Sequence, residues 1–104
     1  METSALIKPL ACKLTSPELK KRKDEVISQL KTLVIERIEL VDGYSYRFDG
    51  TDETIDSVTA FIKSERLCCE FFSFKLVVSS ERVAWLDITG PDGAKQFIVS
   101  ELGM

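Results

Sequence analysis

Two apolar rhythms alternate along this chain, and their changeovers mark its elements. Leu19, Lys23, Val26, Leu30 and Leu33 recur every three or four residues, with Ile27 beside them, as one face of an amphipathic helix does. Ser16-Pro17-Glu18 starts that helix, with serine as cap, proline at the first helical position and an acid in the electropositive first turn. The pattern predicts an end near Thr32. Lys20-Lys21-Arg22-Lys23, followed at once by Asp24 and Glu25, reads as a solvated face of the same helix. The period then drops to two. Glu36 to Leu40 alternates with Ile38 and Leu40 on one side, and beyond Asp42-Gly43 so do Tyr44, Tyr46 and Phe48.

Two hairpin registers compete. A two-residue Asp-Gly turn pairs Val41 with Tyr44 and puts the tyrosines on the face of Arg37 and Glu39. A three-residue loop with Gly43 left-handed pairs Leu40 with Tyr44 and gathers Ile38, Leu40, Tyr44, Tyr46 and Phe48 on one buried face. The second is expected, because it segregates apolar from polar side chains. Thr51, followed by Asp52 and Glu53, caps a second helix running to about Leu67 or Cys69, with Ile55, Val58, Phe61, Ile62 and Cys69 on or beside its apolar face. A strand from Phe71 to Val78 points Phe72, Phe74, Leu76 and Val78 inward, and after a turn at residues 79–82 Val83 to Thr89 returns with Ala84, Leu86 and Ile88. Gly90-Pro91-Asp92-Gly93 then opens a last helix with Ala94, Phe97, Ile98 and Leu102 inside.

The order helix, hairpin, helix, hairpin, helix implies an α+β two-layer sandwich: a mainly antiparallel sheet of about four strands with helices on one face. Residues 1–7 read as a flexible segment, and 8–104 as a single domain whose Lys8–Leu14 stretch suits a short edge strand. Phe71, Val77, Val83 and Trp85 project from the other face and suggest a partner or dimer interface.

Charge and composition change this picture mainly by exclusion. The formal charge of −3 gives no drive towards nucleic acid. There is no signal-peptide pattern and no apolar run near the ~18 residues that span a bilayer. Three cysteines, an odd number, suit reduced thiols in a cytoplasm. The chain has no histidine, so Ser-His and Cys-His nucleophile pairs and histidine-ligated metals are all excluded.

Chemistry therefore centres on Glu65-Arg66-Leu67-Cys68-Cys69-Glu70. Glu65 precedes the two thiols by three and four positions, which brings its carboxylate beside both. A carboxylate on an apolar stripe needs a partner distant in sequence or a functional reason. Three readings stand: cysteines that only pack, a reactive thiol, or a soft-metal site. A helix C-terminus flanked by acids raises thiol pKa values and disfavours a nucleophile. The same field favours a cation, held by Cys12, Cys68 and Cys69 with Glu65 as a fourth ligand.

Cys12-Lys13-Leu14-Thr15-Ser16-Pro17-Glu18-Leu19, the central Glu65–Phe74 stretch and Gly90-Pro91-Asp92-Gly93-Ala94-Lys95-Gln96-Phe97 together resemble a family of small uncharacterised bacterial proteins. Its members carry a Cys-Xaa-Leu-Thr opening, a Glu-Arg-Xaa-Cys-Cys-Pro-Phe-like centre and a Gly-Pro-Xaa-Gly-Ala-Lys ending. The resemblance brings no activity with it, but it implies that Cys12, Glu65, Cys68 and Cys69 form one pattern. This chain departs by carrying Glu70 where proline is usual, which adds an acid beside the thiols. The expectation is a small cytoplasmic, non-catalytic domain that binds a thiophilic metal ion, or alternatively a dimerisation module whose cysteines are packing.

Overall fold

Helix α1 (Pro17–Lys31) opens the described chain; the computed structural model describes residues 17–104, the Cys68 side chain excepted. The Lys8–Leu14 strand, the Ser16 cap and Cys12 thus lie outside the described residues. Strands β1 (Glu36–Leu40) and β2 (Gly43–Phe48) follow, then helix α2 (Asp52–Cys68), strands β3 (Ser73–Ser80) and β4 (Val83–Thr89), and helix α3 (Ala94–Phe97), which widens into a π-helical turn over Ile98–Leu102. The sheet is antiparallel throughout, in the order β1-β2-β4-β3. The fold is α+β, and one core joins Ile27 and Leu30 of α1, Val58 and Phe61 of α2, the inner sheet residues Tyr44, Tyr46, Phe48, Leu86 and Ile88, and Phe97, Ile98 and Leu102 of the C-terminal helix.

The caps follow their chemistry. Thr51 Oγ1 accepts a hydrogen bond from Thr54 N at the start of α2, and Asp49 accepts from the Thr51 amide and from both threonine hydroxyls. These bonds hold the Asp49 carboxyl below its ordinary pKa, the Thr54 hydroxyl contributing most. At the other end Gly93 takes φ 94°, a left-handed conformation that glycine adopts without strain, and from there the chain enters α3.

The first hairpin corrects the expected register. Leu40 pairs with Gly43, Glu39 with Tyr44 and Arg37 with Tyr46, so Val41-Asp42 is a two-residue turn and Gly43 has no positive φ. Tyr44, Tyr46 and Phe48 are buried as expected, but they share their face with Arg37 and Glu39, whereas Ile38 points to the opposite face and is exposed. The physical reason is that β1 is the outer strand of the described sheet, where charged side chains find partners across the rim. Its charged residues reach over the rim: Arg37 lies 4.5 Å from the Tyr44 ring centre and donates to the Met104 carbonyl, and Lys95 pairs with Glu39. Gly43 serves close approach, since a Cβ there would stand 1.8 Å from the Ile88 carbonyl oxygen of β4.

Three smaller expectations are corrected too. Leu19 is exposed rather than core, Val78 is exposed near the end of the outer strand β3, and Lys23, read as solvated, is buried. The inward set Ala84, Leu86 and Ile88 stands as expected.

Helices α1 and α2 run antiparallel. α1 leads into Glu36, whose partner Arg47 is near the end of β2, and α2 departs from that same end of the sheet. The beginning of α1 consequently lies beside the end of α2, where the Cys68-Cys69 pair is.

Candidate functional site at the end of the helix pair

The last turn of α2 closes on Cys69, whose amide donates to the Glu65 carbonyl at 2.6 Å while its backbone leaves the helical region (φ −122°, ψ 71°). The chain then turns back, with Phe72 N donating to the Cys69 carbonyl. Phe71 and Phe72 pack against each other and against Phe97, Phe71 meeting it edge-to-face with ring centres 5.1 Å apart. This pins the end of α2 to the C-terminal helix.

Inside that corner Glu65 is fully buried, with 0% of its surface exposed. Its partner is Lys23 of α1, whose Nζ lies 3.5 Å from Oε2. The groups that face its carboxylate are the Lys23 ammonium and the Cys69 thiol. Desolvation raises the Glu65 pKa above its usual value, and the Lys23 ammonium works in the opposite direction. The Cys69 thiol lies next to the same carboxylate and is also fully buried. Burial first, and the negative charge of Glu65 second, push its pKa up to about 12, with Glu101 of the C-terminal turn adding to the effect. Cys69 is accordingly a protonated, reduced thiol at neutral pH, a poor nucleophile in a tightly packed wall.

Of the four residues expected to hold a metal, Glu65 and Cys69 are brought together; Cys12 lies outside the described residues, as does the Cys68 side chain. Among the described residues no group of three or more cysteines, aspartates or glutamates is arranged around a common point. Lys23 is the member that sequence reasoning misplaced. The signal was present: Lys23 sits on the apolar stripe of α1, as Glu65 sits on that of α2.

The outer face of the sheet gives a second candidate. Val77 and Trp85 are direct cross-strand neighbours, and Val83 follows on β4. Val77 is 44% exposed, and Trp85 and Val83 are half-buried. Phe71 does not belong to this patch: it packs in the corner with Phe72 and Phe97. In its place the structure adds Ile38 and Arg47. Arg47 pairs across the strands with Trp85; its guanidinium lies 3.5 Å from the Glu36 carboxylate, and its buried Nε has no hydrogen-bond partner among the described residues. Beside this row Ser45 donates to Asp87.

Comparison with protein-family models, with curated proteins and with solved structures found no match. No helix among the described residues is long and apolar enough to cross a membrane.

Proposed function

We propose that this domain is a non-catalytic interaction module that pairs two copies through the outer face of its sheet. The observation that carries this reading is the row Arg47–Trp85–Val77, which lies across three adjacent strands on the face opposite the core. Tryptophan and arginine dominate binding energy at interfaces, and here they are neighbours. A two-fold axis parallel to the strands, between β2 and β4, sets β2 of one copy over β4 of the other. Arg47 of each copy then covers Trp85 of its mate. The pairing is self-complementary and closes as a dimer. The Glu65–Lys23–Cys69 corner fits this reading as a structural tie between the helices, with its thiol serving as packing. Sedimentation velocity of wild type against Trp85→Glu tests it. A dimer in wild type that weakens at least tenfold in the variant supports the proposal, and a wild type that stays monomeric across the concentration range ends it.

One observation favours a second reading, binding of a soft metal ion. The antiparallel helix pair places the start of α1 beside the end of α2, and Cys12 precedes Pro17 by only five positions. Such a tether spans at most about 18 Å, enough to bring a third sulfur to Cys68 and Cys69. Thiolates with Glu65 as a further ligand suit a thiophilic cation, whose binding must release the Cys69 proton. Titration of reduced protein with Cd²⁺ under chelator competition decides this. Wild-type affinity at least tenfold above that of Cys12→Ser and Cys68→Ser supports the site, and equal weak binding by all three removes it.

A further inference from the structure

The helix pair carries a groove of about 510 Å³ whose wall residues, among those described, come from α1 and α2. Because the helices are antiparallel, its side chains fall into levels about one turn apart. At one end Leu19 faces Leu67, the latter 70% exposed. By the same antiparallel order, the lining residues Arg22 and Lys63 come one turn on, and Val26 and Ala60 after them. Asp56 closes the far end.

Two features make this groove a receptor. Its wall includes Ala60, whose small side chain lets another backbone approach closely. Its two central cations, Arg22 and Lys63, are ion-paired to nothing among the described residues, in contrast to Lys23 and Lys95 on neighbouring faces. Apolar levels on both sides of unpaired positive charge are complementary to an amphipathic segment that carries an acid between two apolar anchors. The length fits as well: Asp56 to Leu67 rises about 16 Å, or three helical turns.

We infer that the α1–α2 groove docks an amphipathic helix of a partner protein whose facing stripe reads apolar, acidic, apolar at i, i+4 and i+7, with a basic residue at i+11 meeting Asp56. This is helix-in-groove recognition, with the acid setting register and direction. It uses a different face from the sheet dimer, and Trp85→Glu leaves it untouched.

The experiment uses fluorescence anisotropy with two labelled, alanine-rich peptides of about 15 residues. One carries a Leu-Glu-Leu-Lys stripe at i, i+4, i+7 and i+11, and the other has lysine in place of the glutamate. The full chain is expected to bind the first at least tenfold more tightly. Arg22→Glu/Lys63→Glu, both exposed substitutions, should invert that preference, and Ala60→Trp should fill the groove and weaken the first peptide at least tenfold with an unchanged circular dichroism spectrum. Equal affinity for the two peptides, or no saturable binding of either, overturns the inference. So does saturable uptake of dodecanoate by a groove that binds neither peptide, which would make it a small-ligand site.

Discussion

Glu65 and Lys23 are each tolerated in the core because of the other. Removing one member of a buried pair strands the remaining charge, so Lys23→Met should destabilise the fold by about 3–5 kcal/mol in urea unfolding at pH 7. Lys23→Met/Glu65→Leu should recover most of that loss, since matched apolar replacements are nearly neutral. The pH dependence has a definite sign. A carboxyl raised in the folded state binds its proton more tightly there than when unfolded, so Glu65 costs more stability as pH rises from about 4.5 towards its folded pKa. Glu65→Gln should flatten stability over that window, while Lys23→Met should steepen it. In a Cys12→Ser/Cys68→Ser background, Cys69 should react with a thiol reagent at pH 8 only as fast as the protein opens; a rapid burst would contradict its burial. Glu65's need for a distant partner was legible in the sequence, because an acid on an apolar stripe is costly. The partner's identity was not. A lysine within a basic run also reads as solvated, and its long stem fits either environment.

Among the elements, caps and apolar periods were the readable part. Thr51 is the cap of α2, and Thr51→Ala should cost about 1 kcal/mol. Asp49, held below its usual pKa by the groups that bond to it, contributes stability that is lost as pH falls through its folded pKa; Asp49→Asn should lower the melting temperature at pH 7 and flatten the acid limb. The first hairpin was misread for an instructive reason. Sorting apolar from polar residues assumes that the inner face is dry from edge to edge, and at β1 it is not. Arg37 and Glu39 stay on the tyrosine face because they have partners there, in Met104 and Lys95. Gly43 invited a left-handed turn in the sequence, yet its role is to let the Ile88 carbonyl come close, a long-range contact that local pattern cannot show. Gly43→Ala should therefore cost about 3 kcal/mol or more in urea unfolding, since the obstacle is rigid backbone.

At the scale of the whole molecule, the layer architecture follows from element order, while the strand order does not, because two hairpins can be joined in more than one way. Here β2 and β4 meet at the centre, with Tyr46 opposite Leu86 and Arg47 opposite Trp85. That junction makes one surface of the outer faces of both hairpins, on which the proposed dimer depends. It also leaves β1 and β3 as the outer strands among the described residues, each carrying charge, Arg37 and Glu39 on one and Lys75 on the other. The central junction has a kinetic counterpart. Each hairpin closes a short loop and can form early, but β2 and β4 are separated by the whole of α2 and β3, so their pairing carries the largest loop-closure entropy in the sheet. The rate-limiting step of folding should thus be the docking of two preformed hairpins. Truncations along the Tyr46–Leu86 seam should slow refolding with little change in the unfolding rate, as chevron analysis of Leu86→Ala would reveal.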